Sequence, residues 1–229
     1  MLSSPTRDAV VRQLRSRSPR RDDSGAAAVE FALVASLLII LVFGIIEFSL
    51  VMRDVVSLGS ASRTAARIAS AEAGAGPCST GCASGTPASV PKLAQDAADA
   101  IQRAGLAMPK DSIDELWVFR VAPGANGLPP TSCTSGNSCV RFRWVDSNDR
   151  FTYQAGGWNS TSIAACVGTD SNGLPRADAV GVFIKSTHKF LLPLFGTSLA
   201  LQDRTVMQFE PLPTDSCQAN RPIGSGGHA

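Results

Sequence analysis

Six cysteines, two histidines and two carboxylates set in an apolar run are the residues of this 229-residue chain best placed to do chemistry. Cys78, Cys82, Cys133, Cys139, Cys166 and Cys217 all follow the apolar run. An even number of cysteines confined to one side of a membrane-length segment reads as disulfides made in an oxidising compartment. Sequence alone does not choose the pairing; nearness favours Cys78–Cys82 and Cys133–Cys139, leaving Cys166–Cys217. Cys78 and Cys82 also have a zinc-compatible spacing, but His188 and His228 fall in no paired-ligand pattern, so neither metal nor cofactor is expected. His188 has Ser186 and Thr187 beside it, and Asp178, Asp203 and Asp215 lie elsewhere after the apolar run. No GxSxG, HExxH or glycine-rich phosphate loop accompanies them, so they suggest no enzyme. A lone histidine next to Lys189 reads as a surface residue.

The two carboxylates are Glu30 and Glu47, within Gly25–Met52 (GAAAVEFALVASLLIILVFGIIEFSLVM). Between them, from Phe31 to Ile46, there is no charge. With its apolar flanks the run is long enough to span a bilayer as a helix, which takes roughly 20 residues. An acid at the bilayer centre costs about 3 kcal/mol, so each asks for a reason. Glu30 follows the small residues Gly25–Ala28 and precedes Phe31. Its carboxylate can be neutralised by an amine or can sit among headgroups. Glu47 lies roughly 25 Å further along a helix, which predicts a place at the outer interface, in reach of water, with Arg53 as neighbour. Ala32, Ala35, Ser36 and Gly44 are small enough for close helix–helix packing.

Arg7, Arg12, Arg15, Arg17, Arg20 and Arg21 precede the run, which predicts a cytoplasmic N-terminus and an exterior C-terminal part. A cleaved secretory signal would carry its small-residue cut site after the apolar core; here the small residues, Gly25 and Ala26, come before it. The net charge of +2 argues against nucleic acid as a partner.

The elements needed to position these groups can be read in turn. Residues 1–25 form a basic leader with too little apolar surface to fold alone. Residues 26–72 read as one helix outlasting the membrane, bent or interrupted near the interface, with Gly44 and Gly59 as weak points. Val56, Ser60, Thr64 and Ile68 suggest a mixed face. Residues 73–91 form a Gly/Pro/Ser linker, and 92–217 an exterior α+β domain. That domain opens with an amphipathic helix over 92–104. Strands are expected over 115–121, 139–145, 151–154, 179–186 and 199–209. In CVRFRWV, Val140, Phe142 and Trp144 alternate with Arg141 and Arg143. FLLPLFG (190–196) is an apolar loop, and 218–229 a flexible tail. Trp117, Trp144, Trp158 and Tyr153 are candidates to line a binding face, the alternative being an uncleaved single-pass protein that binds a ligand or surface.

GAAAVEFALV and FGIIEF, followed by ASRTAARIAS beyond the run, resemble the TadE-like family of pilin-related proteins of the tight-adherence (Flp) pilus system. RTVMQFEP is similar to that family's closing pattern. The junction itself resembles the processing site of type IV prepilins. The resemblance implies a prepilin peptidase cutting between Gly25 and Ala26, and a role for Glu30 and Phe31 in helix pairing and assembly. It implies a minor pilin-like role, with other pilin-like subunits, the assembly platform and the lipid bilayer as partners. The chain is far longer than a major Flp pilin, which favours this minor role.

Overall fold

The computed structural model describes residues 24–104, 108–134, 136, 138–166, 177–192 and 196–212. Residues 1–23, where the leader is expected, and Asp215, Cys217, His228 and the expected tail lie outside these. Two compact units divide the chain, 1–46 and 47–229.

Helix α1 runs from Ser24 to Ala71 without interruption, so the break expected near the interface is absent. A single glycine costs a helix about 1 kcal/mol, which a helix of this length absorbs at Gly44 and at Gly59. In the first unit the helix is apolar on every side. Phe31, Leu33, Leu37, Leu38 and Ile45 are all more than half exposed. Its most apolar 18 residues have a mean hydropathy of 2.8, and none of them is buried by the other described residues. The helix is long and apolar enough to cross a membrane. An uncovered apolar surface of this extent is foreign to a water-soluble domain.

In the second unit the helix changes character. Leu58, Ala61, Ala65, Ala66 and Ala69 are buried, at the three- and four-residue spacing of one helical face. This is not the face marked by Val56, Ser60, Thr64 and Ile68; Val56 is largely exposed. The buried face joins a core shared with α2 (Lys92–Arg103) and a five-stranded sheet, making an α+β fold.

The strands are β1 (Ile113–Val121), β2 (Cys139–Val145), β3 (Arg150–Gly157), β4 (Ala179–Lys189) and β5 (Ser198–Gln208). Their order is β3-β2-β1-β4-β5, with every neighbouring pair antiparallel. Register builds the inner face in rows. Val140, Val118 and Val182 stand side by side, as do Phe142, Leu116 and Ile184. These buried side chains belong to the same core as the α1 alanines. The opposite face carries a smaller cluster of Phe119, Val121, Cys133 and Cys139.

Residues 74–91 are tied to this unit. The Cys78 N–H donates to the Val90 carbonyl and the Lys92 N–H to the Gly76 carbonyl, each at 2.9 Å, and Val90 is buried. Arg150 of β3 reaches Asp99 of α2 through Nε to Oδ1 at 3.0 Å, and also donates to the Gly81 carbonyl. The Asp99 carboxylate raises the Arg150 pKa above its ordinary value, chiefly through this hydrogen bond.

Candidate processing and assembly site

Gly25 and Ala26 lie in the first turn of α1, both exposed. A Cβ added at Gly25 would meet nothing within 4 Å, and its φ is not in the left-handed region. Nothing in the fold therefore requires glycine there, although glycine is the costlier choice in a helix. The first turn of a helix has N–H groups without helical acceptors, so it is the cheapest part to unwind. Glu30 stands one turn after Ala26, on the same side of the helix. It is exposed and makes no hydrogen bond or ion pair among the described residues. Phe31 is 74% exposed, a ring that none of the described residues covers.

From Glu47 onward the helix carries a second set of polar groups, these facing the sheet. Glu47 is only 3% exposed, and its Oε1 accepts the Leu192 N–H at 2.7 Å. The expectation that Glu47 reaches water is thus corrected: the turn after β4 covers it. Two turns on, Asp54 is also buried, and the His188 Nδ1–H donates to its Oδ2 at 2.7 Å. Arg53 pairs with Asp54 Oδ1 at 3.2 Å rather than with Glu47. His188 is 7% exposed, so its reading as a surface residue fails as well. Its ring meets Phe190 edge-on, with centroids 5.3 Å apart. Further along, the Ser62 hydroxyl donates to Asp203 Oδ2 and lies 2.8 Å from the Thr205 hydroxyl. Glu47, Asp54 and Ser62 form one stripe, spaced by about two turns, that meets the β4–β5 hairpin along its length.

Residues 25–67 match the family described as TadE-like protein. This stretch is similar to that family. No curated protein and no solved structure matches the chain. The TadE-like segment spans the Gly25–Ala26 junction, Glu30 and Phe31, the whole uncovered apolar surface, and the Glu47–Asp54–Ser62 stripe. It ends just before the alanine face does. The sheet lies beyond it.

Outside the TadE-like segment, the remaining candidate residues separate into unrelated settings. Disulfides join Cys78 to Cys82 and Cys133 to Cys139, with Cα atoms 5.9 and 5.3 Å apart. Cys166 is also disulfide-bonded; its expected partner Cys217 lies outside the described residues. Among the described residues no cluster of three or more His, Cys, Asp and Glu could hold a metal. The aromatic set does not gather on one face. Trp158 is in the main core against Phe209, and Trp117 packs on Phe183 at the opposite face of the sheet. Trp144 stacks edge-on with Phe151 beneath Lys110, and the Tyr153 hydroxyl donates to the Gly156 carbonyl. Of the acids considered beside His188, the two among the described residues have other partners. Asp178 is fully buried and binds Arg120 through both oxygens, at 2.7 and 3.0 Å. Asp203 binds Ser62.

The buried His188–Asp54 pair and the Ser62 contacts were not legible as a set in the sequence. The one signal was the recurrence of polar residues every two turns on a helix whose other buried positions are alanine and leucine, with Ser70 near its end.

Proposed function

We propose that the chain is a minor, pilin-like (pseudopilin) component of a tight-adherence (Flp) pilus assembly system, anchored in the membrane by α1. A prepilin peptidase cuts between Gly25 and Ala26, leaving Ala26 as the new N-terminus. The leader stays cytoplasmic and the disulfide-bearing domain stands outside. The observation that carries this reading is a coincidence of position: the TadE-like match falls on the helix whose apolar surface is uncovered among the described residues. A surface of that kind needs lipid or another apolar helix.

The junction residues have physical roles in such a component. Gly25 and Ala26 let the backbone be held extended in a protease. Once Ala26 is the terminus, its amine lies one turn from Glu30 or from the Glu30 of a neighbouring subunit. Pairing there neutralises an acid that is otherwise expensive in lipid, and a negative charge in the first turn also suits the helix dipole. Phe31 and the small residues Ala32, Ala35 and Ser36 supply the surface for helix pairing with other pilin-like subunits and the assembly platform. Arg53 marks the exterior end of the span.

N-terminal sequencing of the protein extracted from membranes of its native cells tests the reading. A start at Ala26 is the expected result. Gly25→Leu is expected to leave only the long form on a gel, with no loss of fold because the position is open. An intact leader on the native protein would overturn the processing step and favour an uncleaved single-pass protein with an exterior binding domain.

A further inference from the structure

The face of the sheet turned away from α1 carries a recess of about 490 Å³, between β4, β5 and the turn that follows β1. Register sets its floor. Phe119, Gly181 and Val206 stand side by side on β1, β4 and β5, and in the next row Phe183 stands beside Arg204. The turn over residues 122–127 folds back on this floor. Its Ala125 N–H donates to the Ala122 carbonyl at 3.0 Å, and Gly124 and Gly127 take positive φ values of 76° and 69°. A Cβ added at Gly127 would stand 3.1 Å from Val206 Cγ2, so the turn lies as close to β5 as glycine allows.

Val121, Ala179 and Val206 give the recess apolar walls, and among the described residues Arg204 is the only charged one that lines it. Arg204 is exposed and has neither ion pair nor hydrogen bond among those residues. Asn126 also lines the recess; its Oδ1 accepts the Leu128 N–H at 3.1 Å, which leaves the amide nitrogen as a donor. Gln208 adds a second amide. The acids of this face, Asp114 and Glu115, lie at the other end of β1, and Glu115 is 3.7 Å from Arg141. A volume of this size, mostly apolar with a few convergent polar groups, suits a small ligand. A guanidinium offers a planar fork of donors that a carboxylate matches with both oxygens. One cation balances one negative charge, whereas an ammonium group would meet no acid here.

We infer that this recess binds a monocarboxylate with a short apolar body. Arg204, with Asn126 and Gln208, holds the carboxylate, and the apolar part lies against Val121, Ala179 and Val206. A free small acid and the C-terminal carboxylate of another protein present the same chemistry. The site lies wholly in the second unit, so it goes beyond the assembly role and stands whether or not the chain is cut after Gly25.

The test is saturation-transfer difference NMR on the full-length protein in detergent micelles, titrating each probe into the millimolar range. The probes are benzoate, its uncharged counterpart benzamide, and an acetylated Gly-Ala-Val peptide with either a free or an amidated C-terminus. Saturable transfer to benzoate or to the free-acid peptide, and to neither amide, is the expected result. Arg204→Gln should weaken binding about tenfold or more, the loss of a charge-assisted hydrogen bond. Arg204→Lys keeps the charge without the fork and should fall between. Arg141→Gln, on the same face, should bind as the unaltered protein does. Arg204 is exposed, so an unchanged Tm is expected and confirms that the variants are folded. Tighter binding of the peptide would assign the site to a protein chain end, and binding of benzoate alone to a free acid. Equal transfer to acids and amides, no transfer to either acid, or full binding by Arg204→Gln would overturn the inference.

Discussion

The buried pair between Asp54 and His188 gives the sharpest test of how the C-terminal half of α1 is held. Both side chains are almost fully covered, and their contact is one hydrogen bond of 2.7 Å across 134 residues of chain. Asp54→Leu removes a charged acceptor, worth about 1.5–3 kcal/mol. It also leaves His188 with neither ring nitrogen bonded among the described residues, since Nε2 has no partner already. The pair of Arg53 with Asp54 is half exposed and adds little. The expected cost is about 3 kcal/mol, which for a domain of this size lowers Tm by roughly 6–12 °C. His188→Phe should cost a similar amount by stranding the Asp54 carboxylate. The double variant replaces both partners by apolar groups and should recover most of the loss, because an unpaired buried polar group is worse than none. The assay is thermal unfolding of the full-length protein in detergent micelles, followed by tryptophan fluorescence. A coupling of about 1–3 kcal/mol between the two sites is expected. Additive losses, or an Asp54→Leu shift of under about 1 °C, would refute the argument that this pair clamps the helix to the hairpin.

Two further outcomes follow from the second unit. Glu72, just past the end of α1, has its pKa raised to about 7, chiefly by a hydrogen bond with Asp96, then by burial and by the Asp96 charge, against opposing pulls from Lys92 and Arg103. The folded state holds this proton more tightly than the unfolded chain, so the contribution is full below pH 4.5 and is lost as pH rises through 7. Stability should therefore fall between pH 5 and 8, by no more than about 1 kcal/mol because the group is largely solvent-screened, and Glu72→Gln should flatten that slope in urea titrations. Gly156 pairs with Val140 at a φ of +92°, and an added Cβ would stand 2.1 Å from the Cys139 carbonyl oxygen. Gly156→Ala should cost about 3 kcal/mol by urea denaturation, from left-handed strain and overpacking together, and a cost below about 1 kcal/mol would mean that β3 shifts register to escape the clash.

How far the sequence could be read depended on contrast between neighbours. In β2, Val140 and Phe142 alternate with Arg141 and Arg143, and the structure buries the first pair and leaves the second on the outer face. The apolar half of α1 was equally plain, since nothing polar interrupts it. The C-terminal half was not. Alanine occupies buried and exposed positions alike there, so periodicity could not choose between the face of Val56, Ser60, Thr64 and Ile68 and that of Leu58, Ala61, Ala65 and Ala69. The sheet made the choice. His188 was misread for a related reason: its sequence neighbour is an exposed lysine, while its partner Asp54 lies in another element. Glu47 was placed by its distance along a helix, which gives height but not surroundings. The Leu192 N–H that buries it belongs to a loop with no sequence link to the helix.

One helix thus carries two kinds of surface, and its side chains change from one to the other. Up to Ile46 it carries leucine, isoleucine, valine and phenylalanine on every side, large groups for a medium that will accept them anywhere. From Leu58 onward its covered positions are mostly alanines, and alanine has too little surface to drive burial by itself. Its use here is geometric. Small side chains let α1 approach a sheet whose inner face already supplies the bulk, in Phe142, Leu116 and Ile184. Position and rotation then fall to directional contacts, and Glu47, Asp54 and Ser62 provide them at successive heights, each to a different part of the β4–β5 hairpin. Burying such groups is costly unless their partners are in place, so a helix rotated or shifted by one residue would strand all three. The alanines alone would allow such a slip. The polar stripe is what gives the sheet one seating on the C-terminal half of the helix.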